Sequence, residues 1–235
     1  MHHDPVITWV ALIPGLSSIP EHVANAILIS LIIVIMVLIG TRKIRNSNPE
    51  DLIIPDGKFT LQNVLEAMVE AILKIISDSL GSAVSRQFLF VVGGGIFFIL
   101  FSNLSGLIPG FNPPTGNLNT TAGCAMTVFC MTHYFGWKEH GPKYLKQFVG
   151  PFLWLAPLMI PIEIIGHLAR PMSLSLRLFG NIMGDHLVAA IFVMLAPILV
   201  PVPIAFLGLF VAIVQTFVFT LLSLAYFQGA ISHDH

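Results

Sequence analysis

Charge is what this chain has least of. Asp, Glu, Lys and Arg make up 10% of its 235 residues, where soluble domains carry about a quarter. That deficit, beside 55% hydrophobic residues, excludes a soluble globular domain and places the chain in a lipid bilayer. A net charge of −1 lacks the basic excess that a nucleic-acid partner demands, so none is expected. Cysteine is nearly missing as well. Cys124 and Cys130 stand six residues apart on one predicted helix, about 120° apart around its axis and about 9 Å along it, which suits neither a disulfide nor a metal pair. The opening Met1-His-His-Asp-Pro-Val has no basic stretch ahead of an early apolar core, so no cleavable signal peptide is expected. Walker loops, His-Glu-x-x-His motifs, nucleophile elbows and internal repeats are also lacking. No cofactor, metal or enzymatic activity of its own is expected from the chain.

What is present is a series of long apolar runs with sparse punctuation. Val23 to Gly40 has no charge and is long enough to span, and the basic cluster Thr41-Arg42-Lys43-Ile44-Arg45 marks its cytoplasmic end. After a polar link, residues 59–80 alternate differently. Leu61, Leu65, Met68, Ile72 and Ile76 recur at helical spacing, while Glu66, Glu70, Lys74 and Asp78 hold the other face at four-residue intervals. This is an amphipathic helix, expected on the membrane surface or against a partner, with a Glu70–Lys74 pair one turn apart. Residues 87–109 form a second span, where Gly93-Gly94-Gly95 is expected to allow close helix contact. A linker without Lys or Arg follows, then a return through 120–136 to a basic segment around Lys138 and Lys146.

Residues 150–199 would extend about 75 Å as one helix, against a core of about 30 Å. Charge parity favours a single tilted crossing, with breaks conceivable at Pro161 or Pro171, before a last helix over 204–227. The expected fold is all-α: one polytopic membrane domain over residues 1–235. It has about five crossings (six by hydropathy count) and one amphipathic surface helix. The last two helices are long, tilted and form a hairpin. The N-terminus is outside and the C-terminus inside.

The costliest residue is Arg177. A guanidinium between two apolar runs costs roughly 2.5–3.5 kcal/mol on insertion scales, and Arg cannot shed its proton. At 100° per residue, Ser173 and Asn181 lie about 40° to either side of it, Asp185 near 80° and His186 near 180°. Glu163 is about 21 Å away along the axis, too far to pair with Arg177 and better placed beside His167 and Arg170. His167 reads first as a packing residue, and Arg170 equally as a channel-mouth, capping or lipid-phosphate residue. If the chain reverses near Pro197, Gln215 comes level with Arg177 and is expected to hydrogen-bond to it. Asn103, Asn117 and Asn119 read as channel lining or as turn formers.

Leu174-Ser-Leu-Arg177-Leu-Phe-Gly-Asn181 resembles the signature of subunit a of F-type ATP synthases. Asn103-Leu-Ser-Gly-Leu-Ile-Pro109, Pro114-Thr-Gly-Asn-Leu-Asn-Thr-Thr121, Pro157-Leu-Met-Ile-Pro-Ile-Glu163 and Gln215 carry the same resemblance. It implies that Arg177 is the essential cation facing the carboxylate of a rotating c-ring, with Gln215 and Asn181 beside it. Glu163 and His186 then match half-channel positions, which proton transport to ATP synthesis would use. Gly208 departs from members with His or Glu there, so the outer route is expected to use His186, Asp185, Asn117, Asn119 and water. Ser173 is placed on the proton pathway without assignment to either half. The implied partners are the c-ring, the b-subunit peripheral stalk, the remainder of the synthase and the bilayer of a bacterial inner membrane. The rival readings are a secondary transporter or self-contained channel in which Arg177 binds an anion, and a structural scaffold.

Overall fold

The computed structural model describes residues 19–42, 60–108, 110–145, 156–195 and 201–231. The basic cluster beyond Arg42, the polar link, Lys146 and the Pro197–Val200 part of the turn lie outside the described residues. All regular structure among those residues is helical. Three helices are long and apolar enough to cross a membrane by length and composition: α1 (Glu21–Gly40), α3 (Ser82–Ser105) through its Val84–Ser105 stretch, and α6 (Pro201–Ile231) through Val202–Ile231. Two more long helices, α4 (Leu118–His140) and α5 (Ala156–Leu195), carry more polar residues. α2 (Leu61–Leu80) is the amphipathic segment.

Local chemistry sets most of the boundaries. The Thr60 hydroxyl accepts from the Asn63 amide at 3.4 Å and starts α2. Gly81, at φ +87°, ends α2 and lets α3 begin one residue later, five residues before the expected start at 87. The Asn117 carboxamide accepts from the Asn119 amide at 2.9 Å and caps α4, which closes with Lys138 and His140 in its last turn. α4 and α6 therefore outrun their expected limits of 120–136 and 204–227. α5 continues unbroken for 40 residues through Pro161 and Pro171, a length of about 60 Å. An interior Pro costs a soluble helix about 3 kcal/mol; within a bilayer, neighbouring helices and the lack of competing water keep such helices intact.

α3, α4, α5 and α6 share one core, and α2 leans on its flank. Ile72 and Ile76 of α2 join Phe88, Val128, Phe135, Leu174, Leu178 and Phe227 in a buried cluster. The Phe88 ring lies 4.2 Å from that of Phe135 and 5.1 Å from that of Phe227. The apolar face of α2 is thus covered largely by its own chain, with Glu66, Glu70, Lys74 and Asp78 exposed. The expected Glu70–Lys74 pair is not closed, since an exposed ion pair barely repays the ordering of two long side chains. Gln62 instead donates to Glu66 at 2.8 Å. The triple glycine of α3 also differs from expectation. A Cβ at Gly94 or Gly95 would meet nothing within 4 Å, and one at Gly93 only Leu89 of the same helix. Contact with neighbouring helices runs through Phe88, Val92 and Ile99 instead.

The two ends of the bundle are tied differently. At one, the buried Asn25 of α1 donates to the Asn112 carbonyl at 2.7 Å, and Asn112 returns a bond to the Glu21 carboxylate at 2.8 Å. At the other, Gly40 packs on Leu65 of α2, and the 3₁₀ segment Gly141–Leu145 folds back on α4.

Candidate functional site around Arg177

Arg177 lies near the middle of α5, on the face that the rest of the chain leaves uncovered. Ser173 one turn before and Asn181 one turn after are exposed on the same stripe. Met172 and Leu176 of α5 and Phe210, Ile213 and Phe217 of α6 are exposed as well, so the cation sits in an open apolar surface. Among the described residues Arg177 makes no hydrogen bond or ion pair. The expected bond to Gln215 is not formed. Gln215 comes level with Asn181 rather than Arg177, and its Oε1 accepts from Asn181 Nδ2. That oxygen was the only acceptor the side chain could offer a guanidinium. Gln215 is 3% exposed, and its Nε2 is buried without a hydrogen-bond partner, an arrangement that costs about 1–3 kcal/mol.

Two polar regions flank this stripe. Toward the C-terminal half of α5, Asp185 and His186 turn away from it and line a cavity of about 320 Å³ with Asn103, Gly106, Leu107 and Gly208. Gly106 leaves little room for a side chain: a Cβ there would stand 2.9 Å from His186 Nε2 and 3.1 Å from Pro113, so that these neighbours would have to shift. Gly208 is less constrained, since its Cβ would meet only the flexible end of Leu107, at 3.2 Å. Asn103, 4% exposed, holds the floor. It accepts from the Thr115 hydroxyl at 2.8 Å, and its amide reaches Thr216 and the Ala212 carbonyl at 3.5 Å. Asn117 and Asn119 are not among the residues lining the cavity. The Asn117 side chain is committed to capping α4 and Asn119 is exposed.

Toward the N-terminal half of α5 the second region is narrow. His167 Nδ1 donates to the Glu163 carbonyl at 3.0 Å and lies 3.3 Å from the Glu163 carboxylate. Its ring stacks on that of His133 from α4, with centres 5.4 Å apart and planes 25° off parallel. His133 Nδ1 in turn meets the Tyr144 hydroxyl at 2.8 Å. The Tyr144 ring lies on Gly136, where a Cβ would come within 2.5 Å of it. Burial pushes the Tyr144 phenol above its ordinary range, with the Arg170 charge acting in the opposite direction. Arg170 itself sits 5.7 Å over the Tyr226 ring. Between them is a cavity of about 10 Å³ lined by Thr132, His133, His167, Arg170, Leu174 and Tyr226, room for about one water.

Sequence reasoning placed Glu163 beside His167 and set Asp185 and His186 away from Arg177. It missed Gly106, His133 and Tyr144. Only His133 left a trace, as an imidazole among the Thr and Cys residues of an otherwise apolar segment. Among the described residues no three His, Cys, Asp or Glu side chains are grouped to hold a metal.

The family model described as ATP synthase A chain matches residues 23–228. ATP synthase subunit a 1 of Syntrophotalea carbinolica is 48% identical over 91% of this chain and 87% of its own length. ATP synthase subunit a of Trichlorobacter lovleyi is 47% identical over 90% of this chain and 89% of its own. That of Geobacter sulfurreducens is 46% identical over 92% and 89%. With a match of this extent, and an all-helical membrane fold bearing the arginine signature, the chain belongs to the ATP synthase A chain family.

Proposed function

We propose that this chain is the stator half of the ion path in an F-type ATP synthase, coupling transmembrane proton flow to rotation and ATP synthesis. The observation that carries this reading is Arg177, a permanent cation at mid-helix with no carboxylate partner among the described residues and an apolar surface around it. Such a group demands an anion from elsewhere. A ring of small subunits bearing a midmembrane carboxylate supplies one, and the exposed faces of α5 and α6 are where it would turn. Arg177 holds the arriving carboxylate ionised and, being unable to give up its proton, prevents a continuous proton wire past it. Asn181 and Gln215 position that face. Each proton descending 100 mV releases about 2.3 kcal/mol.

The topology that goes with this reading has five crossings, α1 and α3 to α6, with α2 at the inner end. Arg42, Lys138 and Lys143 cluster at that end, and the Asn112 loop opposite has no Lys or Arg, as the positive-inside bias requires. The His186 cavity then opens outward and the His167 region inward. Asp185, His186 and Asn103 serve the outer half-path, and Glu163 and Ser173 the inner one. The chain binds no nucleotide itself. Its partners are the c-ring, a b-subunit peripheral stalk and the rest of the synthase in a bacterial inner membrane.

The test is Arg177→Ala in the whole complex. ATP synthesis driven by an imposed proton gradient is lost while subunit a and the ring are still recovered together. Retained gradient-driven synthesis refutes the reading, and substrate-dependent uptake by the isolated chain would favour a self-contained transporter instead.

A further inference from the structure

The stacked pair His133–His167 is not accounted for by a cation and two half-paths. Resting on the reading above, we propose that His167 is the proton-exchanging residue of the inner half-path, and that His133 and Tyr144 are the residues that position it.

The chemistry follows from the contacts. His167 Nδ1 faces a backbone carbonyl, which only accepts, so Nδ1 carries hydrogen in every protonation state. In the neutral ring Nε2 is therefore the lone-pair nitrogen. A proton arriving through the adjoining cavity forms an N–H bond at Nε2 as the O–H bond of a hydronium ion breaks, and it leaves by the reverse step. The Nδ1 hydrogen bond persists throughout. No other bond changes and no further reactant is needed.

The surroundings balance the imidazolium rather than trap it. The Glu163 carboxylate, 3.3 Å from Nδ1, stabilises it. His133 from α4 and Arg170 one turn along α5 oppose a second positive charge. α6 contributes Tyr226 and the Gly141–Leu145 segment contributes Tyr144. The 3₁₀ turn Pro114–Gly116, which also packs on α5, has no titratable group. His167 is 6% exposed while Glu163 is only partly covered, so the site sits just inside the inner surface. Arg177 lies ten residues further on, about 15 Å along the axis, with the buried Leu174 between. A purely structural pair would need no proton and could be replaced by apolar stacking.

The experiment uses inverted membrane vesicles carrying the whole complex, so that the medium is the inner side. ATP-driven proton uptake is measured from about pH 6 to pH 9 and divided by ATP hydrolysis in the presence of an uncoupler. His167→Gln is expected to lower uptake about tenfold or more and to change the shape of its pH profile. His133→Gln and His133→Phe, which remove the ring stacked on His167, should also alter the pH profile, as a positioning role requires. The proposal is overturned if His167→Gln leaves the pH profile unchanged, whether at full rate or uniformly reduced, with subunit a present at normal levels in the membrane. Arg177→Ala in the same vesicles separates the two claims. If it still pumps, the stator reading fails; if it does not and the histidine profiles match the unmodified complex, only the present proposal fails.

Discussion

The two regions flanking Arg177 fill their space in opposite ways. The His186 side is a cavity of about 320 Å³ whose walls are kept back by glycine, and whose polar groups are spread along its edge. The His167 side has room for about one water and fills the space with touching groups instead: Tyr144 against His133, His133 on His167, His167 on Glu163. On the proposed reading, a wide polar-edged cavity leaves conduction to water and asks the protein mainly to keep space for it. In a tight one, protonation depends on which side chains touch, and small chemical changes should matter more than small volume changes. Arg177 and the apolar residues around it divide the two regimes.

The most severe way to break the comparison is to remove that divider. Arg177→Ala should reduce proton-driven ATP synthesis by roughly a hundredfold or more, and should raise passive proton leak through membranes stripped of the catalytic sector, because the two regions would no longer be kept apart. Next comes the volume test. Gly106→Ala places a methyl 2.9 Å from His186 Nε2, whereas Gly208→Ala meets only the movable tip of Leu107. Proton-driven synthesis should fall about tenfold for the first and stay near normal for the second; equal losses would show that the cavity wall is not what matters. A stability comparison is smaller. Asn103→Leu leaves the Thr115 hydroxyl buried without its acceptor and should destabilise the purified complex by about 1–3 kcal/mol, read as a lower thermal unfolding midpoint in detergent.

The smallest expected effect lies in the tight region. Tyr144→Phe removes one hydrogen bond to His133, worth about 1 kcal/mol, with the ring's packing on Gly136 kept. The Tyr144 phenol has its folded-state pKa raised, so whatever its neutral form contributes is fully present below the ordinary tyrosine range and is lost only as pH rises through the raised value. The difference between unmodified and Tyr144→Phe complexes in thermal midpoint should therefore be constant across neutral pH. A difference that vanished near pH 7 would assign the link to another group.

The sequence by itself determined the composition-driven facts. Apolar runs of about 20 residues in a chain with 10% charged residues must satisfy their backbone polar groups as helices within lipid, and Arg177 must meet water or a carboxylate, because neither statement depends on where the helices sit. Helical periodicity also placed Glu163 next to His167 and turned Asp185 and His186 away from Arg177, since residues on one helix have azimuths fixed by their spacing. Contacts between helices were decided only in three dimensions. Gln215 went to Asn181 because the hairpin register differs by about one turn from the one a reversal near Pro197 suggests. A side chain at the glycines of α3 would meet no neighbouring helix within 4 Å, while Gly106 and Gly136, outside any glycine run, admit His186 and Tyr144. A glycine reads the same wherever it stands, and only the packing of two other segments against it decides whether its missing side chain makes room for anything.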